Sequence, residues 1–295
     1  MKRKTFKGII AALAITMTAG LFVGCGKSED KTNIKNNTEI SGTITAVGSS
    51  ALQPLVQQAS KNFTAKNPKA IINVQGGGSG AGCNQVAAGN VEIGNSDVDA
   101  ELKLKDKSLA KHLVDHKVCA IGFAVVVHKD VKVDSLTKDQ VQDIFTGKIT
   151  NWKEVGGEDK KINVINRSKS SGTRTAFKQT IMDKKDEKEG LGTTQDSSGN
   201  VRVAMKQTEG SISYLALSYI TEDVKKDIKM LKINDVEATK ENIISNEYPF
   251  WSYEHMYTKG EAKGLTKAFL DYMISEDNKA TIDKLGYIPI SDMKK

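Results

Sequence analysis

The strongest constraint on the fold is a junction that occurs three times: a short apolar run, then glycine and hydroxyl residues, then a segment with helical spacing. The three junctions lie at residues 43–54, 71–86 and 162–182. The apolar runs predict buried strands, and the spacing that follows each of them predicts a helix. Alternating strands and helices favour an α/β fold with mainly parallel pairing. Because ligands bind at the carboxyl ends of strands in open α/β sheets, we expect all three junctions to face one cleft.

Hydrophobic spacing predicts further elements along the chain. The predicted strands cover residues 40–47, 71–74, 91–94, 118–127 and 162–165, and the predicted helices cover residues 52–63, 79–88, 137–145, 173–182, 265–275 and 278–285. The run at 118–127 is the longest apolar one in the body and is interrupted only by Gly122, which is typical of a strand buried on both faces. The segments at 201–206 and 214–220 have no clear period and stay unassigned.

The first 39 residues have the pattern of an export signal and a tether. Residues 1–24 combine a basic start with an apolar core at 9–23, which has the length of a secretory signal and is shorter than a membrane span. The sequence Phe22-Val23-Gly24-Cys25 resembles the lipobox of bacterial lipoproteins, so we predict lipidation at Cys25. An ordinary cleaved signal and a short buried helix are the alternatives. Residues 25–39 are polar and charged, as in a flexible tether.

The basic balance of the chain comes in part from the signal segment. Removal of residues 1–24 takes away four basic residues and no acidic one, so the formal net charge falls from +7 to +3. The remaining lysines are scattered among acidic residues, which is typical of a solvated surface and argues against nucleic acid as a partner. The body after the tether, about 255 residues, is long for one core and natural for two. Its cysteines, Cys83 and Cys119, permit either one disulfide or two separate buried thiols.

The junction at residues 162–182 has the features of an anion site. Ser171, Gly172 and Thr173 stand at the predicted helix start, where the first backbone N–H groups have no acceptor inside the helix. These groups carry partial positive charge and attract anions. Arg167, just upstream, adds a full charge and a planar two-pronged donor. The alternative is that Ser171 and Thr173 only cap the helix and that Arg167 is solvated.

The two earlier junctions offer donors of the same kind. At the first, Ser50 presents a hydroxyl and Ala51 a backbone N–H at the start of the next helix. At the second, the glycine-rich run 76–82 permits positive φ and a close backbone approach, and Ser79 is the donor nearest to the helix. This run is not a P-loop, because no Gly-Lys-Ser/Thr follows at the required spacing. A flexible glycine loop is the alternative for the second junction.

Asp97 follows the predicted third strand and indicates the chemistry of the anion. A carboxylate beside a bound anion repels it, unless the anion carries a proton that the carboxylate accepts. Phosphate at neutral pH carries at least one proton, whereas sulfate and molybdate carry none, so Asp97 favours phosphate. The alternative is that Asp97 caps the turn at residues 95–97.

Signals for an enzyme or a metal site are weak. Ser135 and Lys138 match Ser-x-x-Lys but lack the companion motifs of the penicillin-binding fold. His112 and His116 have no neighbouring acidic pair, which is typical of surface residues rather than of metal ligands. We therefore predict no catalytic residue, no metal and no cofactor. A secreted hydrolase of phosphate esters that uses the same anion cradle is the alternative function, together with a receptor for another oxyanion.

The assembled motifs resemble those of the phosphate-binding lipoproteins of bacterial phosphate ABC importers, the PstS-like family, over residues 41–290. The resemblance rests on segments 44–50, 75–82, 93–97 and 143–149, on Trp152, and on the Arg-x-x-x-Ser-Gly-Thr set at 167–173. It implies a two-lobed, type II periplasmic-binding-protein architecture whose chain crosses between lobes near Phe123 and near residues 248–251. The implied domains are a signal peptide at 1–24, a tether at 25–39, lobe 1 at 40–123 plus 251–295, and lobe 2 at 124–250.

The resemblance also implies which residues contact phosphate. Carried over residue by residue, they are Ser50, Ala51, Ser79, Asp97, Arg167, Ser171, Gly172 and Thr173. Ala51 stands where relatives can have a bulkier residue, but its implied role is through the backbone N–H. The implied protein is a monomer and no enzyme. It is lipid-anchored on the outer face of the bacterial cell membrane, captures inorganic phosphate between its lobes, and delivers it to the permease and ATPase subunits of an ABC importer.

Overall fold

The computed structural model describes residues 39–293. The predicted signal, the tether up to residue 38 and the lipidation site Cys25 lie outside these residues. The strands are β1 (Gly42–Gly48), β2 (Ala70–Gln75), β3 (Ile93–Ser96), β4 (Leu113–His128), β5 (Ser135–Leu136), β6 (Asn163–Arg167), β7 (Thr193–Gln195), β8 (Ser211–Ala216), β9 (Ile228–Met230), β10 (Lys232–Ile233), β11 (Trp251–Lys259) and β12 (Tyr287–Pro289). The α-helices are α1 (Gln53–Lys66), α2 (Ser79–Ala88), α3 (Lys138–Phe145), α4 (Gly172–Thr180), α5 (Ser198–Gln207), α6 (Lys240–Ile244), α7 (Gly264–Met273) and α8 (Glu276–Lys284).

The sheet has the strand order β2-β1-β3-β11-β4-β8-β6-β7, and β9 and β12 pair with β4 beside this path. Pairing is parallel within β2-β1-β3 and within β8-β6-β7. It is antiparallel wherever β4 or β11 takes part. The predicted α/β class is confirmed, but the pairing is more mixed than predicted, because the two long strands run back through the middle of the sheet.

The longest strand, β4, joins the two parallel groups. Its first part pairs with β11 as far as Gly122, and from Phe123 onward it pairs with β8. At this change of partner the N–H of Phe123 donates to the carbonyl of Phe250 at 2.9 Å, and the two rings lie 5.1 Å apart. Every residue of β4 from Val118 to His128 is buried. The predicted strand with two buried faces is thus confirmed, and it is longer than the apolar run.

Local sequence accounts for the start of α3, and the structure assigns the two segments that had no clear period in the sequence. Thr137 and Gln140 form a reciprocal capping box at the start of α3. The segment at 201–206 belongs to α5, and the segment at 214–220 contains the end of β8 and a short 3-10 turn. Among residues 39–293, no helix is long and apolar enough to cross a bilayer.

Cys83 and Cys119 are both free thiols, and both are fully buried. Cys83 packs in a cluster with Val47, Val86 and neighbouring side chains, whereas Cys119 belongs to the main core. Burial raises the pKa of Cys83 to about 11. The sequence permitted either one disulfide or two separate buried thiols, and the structure shows the two separate thiols.

Candidate functional site

The predicted junctions meet at one edge of the sheet. The N–H of Gly78 donates to the carbonyl of Gly48 at 2.9 Å, and the N–H of Ser49 donates to the carbonyl of Asn95 at 3.0 Å. The junction after β6 comes up against these segments, since the hydroxyl of Ser170 donates to the carbonyl of Gly77 at 2.7 Å. The ends of β1, β2, β3 and β6 therefore line a single cleft, as the sequence predicts.

Arg167, the last residue of β6, is a buried cation: its side chain is 1% exposed. Nη1 lies 3.3 Å from the hydroxyl of Ser198, and Nη2 lies 3.3 Å from that of Ser50 and 3.4 Å from the carbonyl of Asp196. Nε has no acceptor among the described residues. Burial lowers the pKa of Arg167. A guanidinium held by long bonds to neutral oxygens, without a close carboxylate in residues 39–293, favours an anion beside it.

Asp97 lies at the end of β3 and is 1% exposed. Its Oδ2 accepts from the hydroxyl of Thr173 at 2.7 Å, and its Oδ1 accepts from the hydroxyl of Ser79 at 3.4 Å. The turn-capping role that was the alternative for Asp97 belongs to Ser96, whose hydroxyl donates to the carbonyl of Val98 at 2.6 Å. Asp97 is thus an acceptor held between two separate helix starts.

The start of α4 combines a cap with donors that stay available. Ser171 accepts from the N–H of Arg174 at 3.1 Å, so the capping interpretation is correct for Ser171. It is wrong for Thr173, whose hydroxyl is directed to Asp97 instead. Among residues 39–293, the backbone N–H groups of Gly172 and Thr173 have no acceptor. They supply the partial positive charge of a helix start to the cleft.

The first junction is built in the same way. The hydroxyl of Ser50 accepts from Arg167 and from the N–H of Ser198, at 3.3 and 3.2 Å. Ala51 is fully buried, its carbonyl accepts from the hydroxyl of Tyr287, and its N–H has no acceptor in the described part of the chain. The eight residues predicted to contact the anion are all buried around this cleft.

Two residues of the cleft were not predicted from the sequence, and Ser198 is the first of them. It is fully buried at the start of α5, where its hydroxyl lies 3.2 Å from that of Ser50. The signal was present in residues 196–199, Asp-Ser-Ser-Gly, which repeat the hydroxyl and glycine chemistry of the other junctions. It was missed because β7, the strand before it, is short and polar instead of apolar.

Lys103 is the second residue of the cleft that was not predicted from the sequence. Its Nζ donates to the carbonyls of Lys169 and Ser171 at 2.7 and 3.0 Å and to the hydroxyl of Thr175 at 3.1 Å. Burial lowers the pKa of Lys103 to about 8. No motif marks this lysine, because the segment that it clamps is more than sixty residues away in the sequence.

A second layer of contacts fixes the position of Arg167. The guanidinium of Arg174 donates to the carbonyl of Arg167 at 2.7 Å and pairs with the buried carboxylate of Glu187. Glu187 also accepts from the hydroxyl of Tyr214 at 2.8 Å, and the Tyr214 ring stacks on Phe177 with centroids 4.3 Å apart. Because these partners come from α4, from β8 and from the segment between α4 and β7, the site backbone has little freedom to move away from the cleft.

Two comparisons of the sequence bear on identity. A family model for the PBP superfamily domain matches residues 33–277. The phosphate-binding protein PstS of Bacillus subtilis is 46% identical over 287 residues, which cover 97% of this chain and 93% of that protein. The chain belongs to the PBP superfamily and, within it, to the PstS family.

Solved structures of the same kind agree with this membership. A phosphate ABC transporter substrate-binding protein from Clostridium perfringens, determined with bound phosphate, has 31% identity and a TM-score of 0.78, over 84% of this chain and 100% of that chain. An ABC-type phosphate transport receptor from Vibrio cholerae has 25% identity and a TM-score of 0.66, over 83% of this chain and 99% of that chain. The predicted two-lobed fold of the PstS-like family is confirmed.

Proposed function

We propose that this protein is an extracytoplasmic substrate-binding protein that captures inorganic phosphate between its two lobes and delivers it to an ABC-type permease. The proposal assigns the phosphate contacts to Ser50, Ala51, Ser79, Asp97, Arg167, Ser171, Gly172 and Thr173. We propose binding without catalysis, because the described residues of the cleft offer mainly donors, and the one carboxylate among the eight, Asp97, accepts from two of them. Family membership supports the same role, since the similar proteins are named as phosphate-binding.

One observation carries the choice of ligand: a buried cation and a buried acceptor line the same cleft. Arg167 and the free N–H groups at the start of α4 attract an anion, and Asp97 accepts a hydrogen bond. The two together suit an anion that still carries a proton. Hydrogenphosphate meets this requirement, and sulfate does not.

The domain organisation and the anchoring belong to the same proposal. We place the lobe boundaries at residues 123/124 and 250/251, where β4 changes partners and Phe123 contacts Phe250. A lipid on Cys25 would tether the protein to the outer face of the membrane through residues 25–39. We expect a monomer with no cofactor, and we expect the permease and ATPase of the importer as its partners.

The first experiment is calorimetric titration of the purified, anion-stripped protein with phosphate and then with sulfate at neutral pH. We expect one-to-one phosphate binding and no measurable heat with sulfate. Equal binding of the two anions would remove Asp97 from the argument. If neither anion binds, the proposal fails, and turnover of a chromogenic phosphate ester would then be tested.

Arg167→Ala should weaken phosphate binding at least tenfold, because a charge-assisted hydrogen bond contributes on the order of 1.5–3 kcal/mol. The matched control is Arg202→Ala, since Arg202 is exposed on α5. Titration of both variants against the wild type checks the expectation. Unchanged affinity in Arg167→Ala would place the anion elsewhere.

A further inference from the structure

Glu254 is a buried acidic residue that lies directly behind the cleft. In the pairing of β11 with β3, His255 is opposite Ser96, so Glu254 comes next to Asp97. The side chain of Glu254 is 0% exposed, and the strand register places it beside Asp97, which is 1% exposed. The register of β11 against β4 shifts between Glu254 and His255, an irregularity of the kind that redirects a side chain.

No group in the described structure stabilises Glu254 as an anion. Neither of its carboxyl oxygens has a donor among residues 39–293. The ionisable groups that face it are Asp97 from the end of β3, Cys119 from β4 and Tyr287 from β12. None of the three is a cation. An ionised Glu254 would be a buried charge without a partner, which is strongly unfavourable.

The basic residues on the neighbouring strands are engaged elsewhere. His255 Nδ1 lies 2.8 Å from a carboxylate oxygen of Asp115. Lys117 places its Nζ 4.8 Å from the centre of the Tyr253 ring. Neither interaction reaches the carboxyl group of Glu254, so the strands that flank it supply no counter-charge.

Two carboxyl groups on neighbouring residues of one buried site cannot both be ionised at low cost, so the pair shares a proton. Asp97 has the donors that stabilise a negative charge, from Thr173 at 2.7 Å and from Ser79 at 3.4 Å. Glu254 has none, so the charge belongs on Asp97 and the proton on Glu254. Burial raises the pKa of Glu254 well above its usual value of 4.5, and the neighbouring Asp97 raises it further.

We propose that Glu254 is a specificity-determining residue that stays protonated, donates a hydrogen bond to Asp97 from behind, and keeps Asp97 an ionised acceptor for the proton of the bound anion. This inference rests on the proposed function. Without this donor, only the hydroxyls of Thr173 and Ser79 stabilise the negative charge of Asp97, so Asp97 is a weaker repulsive element toward a fully ionised anion such as sulfate.

The first test separates the hydrogen bond from the volume of the side chain. Glu254→Gln keeps an N–H donor toward Asp97, whereas Glu254→Met keeps the length and removes the donor. Competition titration measures the ratio of the sulfate dissociation constant to the phosphate dissociation constant. We expect this ratio to stay within about threefold of the wild-type value in Glu254→Gln. In Glu254→Met we expect it to fall at least tenfold. Glu247→Gln is the control, because Glu247 is exposed. The proposal would be overturned if Glu254→Met kept the wild-type ratio of dissociation constants, or if the ratio fell equally in Glu254→Gln and Glu254→Met.

The second test detects the proton on Glu254 without any ligand. Between pH 4.5 and the raised pKa of Glu254, the folded wild type holds a proton that the unfolded chain has released. Its stability therefore falls as the pH rises, whereas the Gln variant has no such group. Urea titrations give the unfolding constant of each protein. We expect the ratio of the wild-type constant to that of Glu254→Gln to rise by up to about tenfold for each pH unit above pH 4.5.

The two tests have separable outcomes. A ratio of unfolding constants that stays flat from pH 5 to pH 8 would mean that Glu254 ionises in the folded protein, and the proposal would be wrong. If the wild type binds no phosphate, the proposed function fails, while the unfolding comparison still reports the proton on Glu254. If Glu254→Met does not fold, the pH dependence of the Gln variant decides alone.

Discussion

At the scale of single residues, the proposed selectivity depends on one acceptor among many donors. Asp97 reaches Thr173 and Ser79 from the end of β3, and Glu254 stands behind it. In the proposed function, Arg167 compensates the charge of the anion, whereas Asp97 opposes any anion that lacks a proton. Discrimination would then come from a repulsive element and not from affinity alone.

Replacement of Asp97 by Asn should weaken this discrimination. The Asn amide can donate to an unprotonated oxygen, so sulfate should compete with phosphate at least tenfold better than in the wild type. Competition titration at neutral pH measures the change. Asp99→Asn serves as the control, because the Asp99 side chain is 75% exposed only two residues away. A wild-type selectivity ratio in Asp97→Asn would remove the proton-acceptor role.

At the scale of elements, the site depends on how closely the start of α4 approaches the start of α2. A Cβ at Gly172 would lie 2.0 Å from the Ser79 hydroxyl and 2.9 Å from Cγ of Asp97. Gly172 is therefore required by contact with another element and not by its own φ. Glycine at this position lets the start of α4 come close to the hydroxyl of Ser79 and to Asp97, as a shared anion site would require.

Gly172→Ala should consequently lower phosphate affinity at least tenfold while the far-UV circular dichroism stays unchanged. The methyl group has no room unless α4 moves back from Ser79, and this movement withdraws its N–H groups. Gly199→Ala, at the start of α5, is a matched control, since its Cβ would meet nothing closer than 3.8 Å. Wild-type affinity in Gly172→Ala would show that the close approach does not matter for binding.

At the scale of the whole molecule, contacts between segments that are distant in the sequence join the junctions around the cleft. Lys103 donates to Lys169, Ser171 and Thr175, and Ser170 donates to Gly77. Closure of two lobes on a ligand is a hinge motion in which such contacts are made and broken. Contacts that a closed state makes and an open state lacks slow release more than capture, so we expect these contacts to act mainly on the dissociation rate.

We therefore expect Lys103→Met to speed phosphate dissociation at least threefold and to leave the association rate within about twofold of the wild type. Stopped-flow measurement of both rates tests this. Lys105→Met is the control, because Lys105 is exposed on the same segment. If only the association rate changes, Lys103 acts on the approach of the anion and not on closure.

The sequence by itself determined the parts of this protein whose signal is local. The cleft was predicted from strand ends that are followed by glycine, a hydroxyl residue and a helix. Arg167 and Asp97 were singled out because a charged side chain at such a junction indicates contact with a ligand. The boundaries of α2 were predicted as observed, at residues 79–88, because the glycines before Ser79 and Gly89 after it set both ends locally.

The tertiary structure alone decided what depends on distant contacts. Glu254 meets Asp97, Lys103 meets α4, and Ser198 meets Arg167 only because the sheet brings separate segments together. The free state of Cys83 and Cys119 and the antiparallel course of β4 and β11 have the same origin. Local sequence limits the conformations of a short segment, but burial and the satisfaction of polar groups are settled between segments, and no periodicity in one stretch of chain records its distant partner.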